Sequence, residues 1–290
     1  MKSLIGVIGG SGLYDMPGLH NRRETTLSTP YGPPSDVIIQ GEWAGVAVAF
    51  LARHGRDHRL IPSELPYQAN IHALAQLGVR YLLSVSAVGS LREDIAPLDL
   101  VLPDQFIDLT RHRACSFFGQ GAVAHVSMAD PVCVQVHHAL AASIRELAIT
   151  EPVRLHTSGT YLCIEGPQFS SRAESMMYRQ WGASIIGMTN MPEARLAREA
   201  QIAYATLAMV TDYDCWHPRE AHVTAETAIA HLQKNAQRAQ QVLALTIARL
   251  GREQPCSLAH SALAQALVTP WEAMDAATRA RLAVFAQPGG

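Results

Sequence analysis

Nine largely apolar residues, Ile202 to Val210, run straight into Thr211-Asp212-Tyr213-Asp214-Cys215-Trp216. Such a run reads as a buried strand. Two carboxylates just beyond it suit no core, but they suit an open α/β sheet, whose ligands sit past the carboxyl ends of the strands. If the backbone stays extended, positions i and i+2 face one side, so Asp212 and Asp214 can address one ligand together. Crowded like charges raise one pKa and leave one group able to hold or donate a proton near neutral pH. The pair then suits the edge of a nitrogen heterocycle, with one acceptor for an exocyclic amine and one acid for a ring nitrogen. A solvated Asp-rich turn is the plain alternative for the hexapeptide alone.

Other apolar runs end in the same way. Ser3 to Ile8 reads as a buried strand that leads into Gly9-Gly10-Ser11-Gly12, where backbone N–H groups can form an anion nest and Ser11 adds a hydroxyl. A dinucleotide fingerprint counted from Gly10 would need glycine where Asp15 stands. Asp36 to Gly41 and Val46 to Leu51 read as a hairpin with a turn near Gly41 to Gly45, and its second strand leads to Arg53-His54. Arginine suits bidentate binding of phosphate. Arg80 to Val85 reads as a strand ending in Ser86-Ala87-Val88-Gly89-Ser90, again small residues and hydroxyls. Ser184 to Met188 reads as a short strand that ends at Met188-Thr189. Val153 to Ile164 reads as one strand, followed by a turn with an aromatic, Glu165 to Ser170, and by Ser171-x-x-Glu174 at capping-box spacing.

Helical periodicity covers Pro66 to Leu77, Val132 to Leu147, Pro192 to Ala200 and a long Ala-rich stretch, Thr224 to Leu250, closed by Gly251. Residues 17–35 and 111–130 read as loops. Ser257 to Leu267 and Pro270 to Phe285 look helical, with Thr269-Pro270-Trp271-Glu272 as a start signal. The expected organisation is one domain over residues 1–251 and a helical C-terminal extension over 252–290, packed on that domain or on a neighbouring subunit.

The chain has 290 residues, 48% hydrophobic and 17% charged, enough for one large α/β domain. A net charge of −2 with both signs interspersed gives no footprint for nucleic acid. No apolar run is long enough for a bilayer, and MKSLIGVIGG reads as a first strand rather than a signal peptide. Five scattered cysteines without a C-x-x-C pair point to a reducing cytoplasm. No H-E-x-x-H spacing and no G-x-x-x-x-G-K-[ST] loop occurs, so no metal is expected. The converging strand ends imply one composite pocket. An oxyanion side carries Ser11, Arg53, His54 and Ser86, a base side carries the two Asp residues, and Met188 and Phe169 lie between them. A metal-free reaction joining phosphate to a nucleoside fits these parts.

The segments IGGSGLYD, LARHGRDH, SAVGSLRE, IEGPQFSSRAES, GMTNMPEA and TDYDCW, in this order and spacing from about Leu4 to about Leu250, resemble the purine nucleoside phosphorylase superfamily. Within it they are similar to the trimeric branch that cleaves S-methyl-5′-thioadenosine. The resemblance implies a single α/β domain with a mixed, partly barrel-like central β-sheet flanked by helices, assembled as a homotrimer. It implies phosphorolysis of S-methyl-5′-thioadenosine to adenine and 5-methylthioribose 1-phosphate in purine and methionine salvage. That is a pentosyl transfer with inorganic phosphate as co-substrate and no cofactor. Carried over by motif, Ser11, Arg53, His54, Ser86, Ala87 and Thr189 bind phosphate, and Met188 lies under the ribose. Phe169 and Ser170 border the base. Asp212 and Asp214 hold the purine, one of them sharing the proton at N7. His125, in AHVSMADP, reaches the methylthio pocket of a neighbouring subunit. Ser170 and Ala225 tune specificity, with Ala225 standing where a larger apolar residue is usual. Ser11 and Ser86 replace what is often Thr, Gln168 replaces a common Arg, and the resemblance is weak after Gly251.

Paired Asp acceptors favour a 6-amino purine, and relatives for 6-oxo purines usually carry Asn there. The alternative within the fold is methylthioinosine, adenosine or another purine nucleoside. Readings from other classes are a nicotinamide-dependent oxidoreductase and a non-catalytic nucleoside-binding protein.

Overall fold

The structure is a computed structural model that describes residues 4–10, 13, 16, 18–218 and 225–286, with the backbone alone for 225–234. The chain forms β1 (Leu4–Gly9), β2 (His20–Thr25), β3 (Ile38–Trp43), β4 (Val46–Ala52), α1 (Tyr67–Gln76), β5 (Val79–Ser90), β6 (Leu100–Val101) and β7 (Gln105–Asp108). It continues through α2 (Val134–Leu147), β8 (Leu155–His156), β9 (Thr160–Cys163), α3 (Arg172–Gln180), β10 (Ile185–Gly187), α4 (Asn190–Glu199), β11 (Ala203–Asp212), α5 (Ala225–Glu253) and α6 (Ala276–Ala286).

The strands make one mixed sheet of order β2-β3-β4-β1-β5-β10-β9-β7, with β11 beside β5 and carrying β6 and β8. Among the described residues it does not close into a barrel. β1, β4, β5 and β11 run parallel, so their carboxyl ends come together. The continuous apolar runs of β5 and β11 follow from burial on both faces. Along β11, Ala205, Leu207 and Met209 join the core under α2 and α5, while Tyr204, Ala208 and Val210 join the core under α1, α4 and α6. This period of two splits the interior into two layers. Met274, Leu282 and Phe285 of the C-terminal segment belong to the second of these, with the Phe285 ring 4.5 Å from Phe117.

Several elements differ from the sequence expectation. Residues 17–35 contain a strand, β2, whose HNRRET has no apolar face because it is an exposed edge. The hairpin turn is only Ala44-Gly45, both at positive φ, as a two-residue turn between right-twisted strands requires. β5 runs through Ser90 instead of ending at Val85, because its last residues pair with β11 and antiparallel with β10. Residues 153–164 form two short strands broken at Gly159, which has φ 153°. Gly251 lies inside α5 instead of ending it. A Cβ there would come within 2.3 Å of Val46, so the glycine marks close helix–strand contact. The Thr269 signal starts no α-helix. Its hydroxyl accepts from the Val123 N–H, and the turn that opens α6 is held by Asp275, which accepts from the Thr278 N–H. The Ser171 capping box is present, with Ser171 Oγ and the Glu174 carboxylate each accepting the other residue's N–H.

Candidate active site

The carboxyl ends of β1, β4, β5 and β11, with the ends of β9 and β10, enclose a cavity of about 370 Å³. Arg53, His54, Ser86, Ala87, Phe169, Ser170, Met188, Thr189, Asp212 and Asp214 all line it. Ser11 and the side chain of Ala225 lie outside the described residues, though Gly10 and Leu13 line the cavity on either side of the Ser11 segment. His125 is exposed and is not part of the lining. Its N–H donates to the Ala266 carbonyl, beside a bridge between Ala124 and Leu267.

The Asp212–Asp214 end of the cavity is a turn rather than the extended backbone expected. β11 stops at Asp212, and Asp214 adopts φ 51° with its N–H donating to Asp212 Oδ1 at 2.8 Å. Asp and Asn tolerate this left-handed region better than other non-glycine residues. The Thr211 hydroxyl donates to Asp212 Oδ2 at 2.6 Å. Both carboxylates still reach one cavity, because a local side-chain-to-backbone bond folds the second one in. Gly89 pairs with Asp212 across the sheet, and a Cβ there would come within 2.9 Å of Asp212 Oδ1. Asp214 is 6% exposed, and its carboxyl is pushed up. Burial is the main cause and the Asp212 charge adds to it, against the hydroxyls of Ser175 and Ser170. Behind the turn, Trp216 donates from Nε1 to the Ser90 carbonyl at 2.7 Å, and the Arg179 guanidinium of α3 sits 3.4 Å above its ring.

The opposite end is built differently. Arg53 is 1% exposed and bidentate to Glu193, at 2.7 and 3.1 Å. It also donates to Ser84 Oγ at 2.7 Å and to the carbonyls of Val85 and Ile8. Burial opposes its charge, but Glu193 outweighs burial and keeps it protonated. His54 is neutral. Burial, with Arg53 nearby, brings it down to about 4, against the Leu60 carbonyl 2.9 Å from Nδ1. That carbonyl fixes the proton on Nδ1 and leaves Nε2 an acceptor. The expected basic cradle is therefore one charge-balanced guanidinium and one uncharged imidazole. Ser86, reached as part of β5 and not as a loop after it, lies 3.1 Å from the buried Tyr161 hydroxyl. Thr189 is the residue before α4 and is buried.

Arg113 joins the two ends. Its side chain is 1% exposed and donates to the carbonyls of Met188, Met191 and Glu165, each at 2.7 Å, and to the Tyr67 hydroxyl at 2.9 Å. It also meets the Glu165 carboxylate at 3.2 Å. Burial opposes that carboxylate's charge, but the Ser63 hydroxyl, the Arg111 and His112 amides and Arg113 together hold it down at about 2. Sequence reasoning missed Arg113 and Glu193. α4 buries Asn190, Glu193 and Glu199 among its apolar residues, and a carboxylate within that core-facing pattern is the signal that could have found Glu193. Arg113 sits in a loop with no pattern to single it out.

The model of the phosphorylase superfamily matches residues 4–248. A curated S-methyl-5′-thioadenosine phosphorylase of Synechocystis sp. is 58% identical over 281 residues, covering 97% of this chain and 86% of that protein. A crystal structure of a methylthioadenosine phosphorylase from an antarctic soil metagenomic library superposes with a TM-score of 0.94 at 60% identity, covering 99% of this chain and all of that one. The Schistosoma mansoni methylthioadenosine phosphorylase in complex with adenine superposes with a TM-score of 0.82 at 36% identity, over 87% of this chain and 93% of that one.

Proposed function

We propose, since this chain belongs to the phosphorylase superfamily, that it cleaves S-methyl-5′-thioadenosine with inorganic phosphate, releasing adenine and 5-methylthioribose 1-phosphate. The observation that carries this reading is one 370 Å³ cavity with a protonatable carboxylate pair at one end and an arginine, hydroxyls and backbone at the other. Phosphate, held by Ser11, Arg53, His54, Ser86, Ala87 and Thr189, approaches C1′ from one side. The bond from C1′ to N9 breaks, its electron pair moves into the purine, and a phosphate oxygen bonds to C1′. The Asp212–Asp214 pair shares one proton with N7, and Asp214 is the member whose burial favours keeping it. Assistance of this kind is worth roughly 10² to 10⁴ in rate. Fixing both reactants in line adds positional advantage. Met188 lies under the ribose, and Phe169 and Ser170 border the base. Leu13, Leu60, Ile61 and Pro62 give the cavity an apolar stretch that favours a methylthio substituent over a 5′-hydroxyl.

The finer parts of this reading are a homotrimer in which an exposed His125 reaches a neighbour's methylthio pocket, a specificity role for Ser170 and Ala225, and a cytoplasmic enzyme of purine and methionine salvage. Five free cysteines support a reducing compartment. Phosphate is a co-substrate, and no cofactor enters the steps above. The test is adenine release from S-methyl-5′-thioadenosine with and without phosphate, with methylthioinosine alongside. The expected result is phosphate-dependent release, much faster from the 6-amino substrate. Equal or preferred use of methylthioinosine would overturn the base-recognition argument, and no release would overturn the activity.

A further inference from the structure

Arg53 reaches the cavity with its charge already matched. A guanidinium carries five N–H hydrogens. Nε and Nη2 supply three, to the two Glu193 oxygens, to Ser84 and, more distantly, to the Ile8 carbonyl. Nη1 gives one to the Val85 carbonyl at 2.9 Å, which leaves one Nη1 hydrogen without a protein acceptor among the described residues. Glu193 is fixed in turn, because Oε1 also accepts from Ser84 at 2.7 Å and from Tyr204 at 2.9 Å, and both residues are buried. Asn190 completes the network, donating to Ser84 and Tyr204.

We propose that Glu193 is a positioning residue for the phosphate subsite: it aims the last Arg53 N–H into the cavity and offsets the Arg53 charge, so that phosphate is held reversibly. The inference rests on the phosphorylase reading above. With Glu193 uncharged, phosphate becomes the counterion of a buried guanidinium, and Coulomb attraction in a low-dielectric site is strong. Tighter holding of a reactant that is equally tight in the transition state lowers KM without raising kcat. A charge-balanced arginine instead supplies direction with little excess attraction, and it lets the sugar phosphate leave.

The experiment is steady-state kinetics of Glu193→Gln, with phosphate and nucleoside varied separately. Wild-type protein is run first, and absence of phosphate-dependent release there refutes the functional reading, not the role of Glu193. In Glu193→Gln the phosphate KM falls roughly tenfold, as expected for loss of a nearby like charge, while the nucleoside KM holds and kcat does not rise. Inorganic phosphate alone also raises the Tm of this variant by more than it raises that of wild type. An unchanged or raised phosphate KM in a folded variant overturns the proposal and makes Glu193 a plain strut. If the variant does not fold, the double variant Arg53→Met/Glu193→Met removes both charges at once, a replacement buried ion pairs often tolerate. A rise in phosphate KM with the nucleoside KM unchanged supports the proposal, because the aimed N–H is gone, and an unchanged phosphate KM overturns it.

Discussion

The two ends of the cavity handle charge in opposite ways. At the phosphate end the only described charged side chain is neutralised inside the scaffold, Arg53 by Glu193, and the histidine beside it is uncharged. At the base end two carboxylates share one turn, and burial of Asp214, with the Asp212 charge beside it, makes that carboxyl the one that favours a proton. The difference follows from what each ligand brings. Phosphate arrives charged and must depart bonded to a sugar, so a balanced site suits it. On the proposed reading, the purine gains basicity only as its bond breaks, and a carboxyl that favours its proton suits that moment.

The comparison can be broken most sharply at the acid. Asp214→Asn is expected to lower kcat/KM for S-methyl-5′-thioadenosine by roughly 10² to 10⁴ while leaving the phosphate KM unchanged. A matching change in phosphate KM would show that the ends are not independent. Arg113→Met should be the substitution that harms both ends, because one guanidinium holds the carbonyls beside Met188 and those of the Phe169 wall. Its expected cost is about 3 kcal/mol of stability, read by urea unfolding, since it orphans several buried acceptors. Both KM values should rise with it. Trp216→Phe is the smallest case. It loses the bond to Ser90 and weakens the stack under Arg179, worth about 1 kcal/mol, so the nucleoside KM should rise roughly fivefold with the phosphate KM fixed. A larger change in the phosphate KM than in the nucleoside KM would argue against a role confined to the base end.

Much of this was legible from residue order. Apolar runs over 202–210 and 80–85 announced strands buried on both faces, and the chemistry at their ends announced a ligand edge. Ten of the expected site residues line one cavity, while Ser11 and the Ala225 side chain fall outside the described residues and His125 lies on the exterior. What stayed hidden depended on partners distant in sequence. β2 lacks an apolar face because only pairing to β3 makes it a strand. The end of β5 beyond Val85 does not read as strand because its serines and glycines answer to the cavity and to the close approach of Asp212, not to strand propensity.

The sequence by itself determined an α/β chain, apolar strands ending at a common ligand edge, and the residue types gathered there, since apolar periodicity is a property of local order. Only the tertiary structure decided which charges act as charges. Arg53 meets Glu193 across 140 positions, and Arg113 meets Met188 across 75. Asp214 is turned inward by a bond to its neighbour two residues back and is then desolvated by α3 and β5 packing around it. Electrostatic state depends on solvent exclusion and on contacts made only when the sheet is assembled, and neither can be read along the chain.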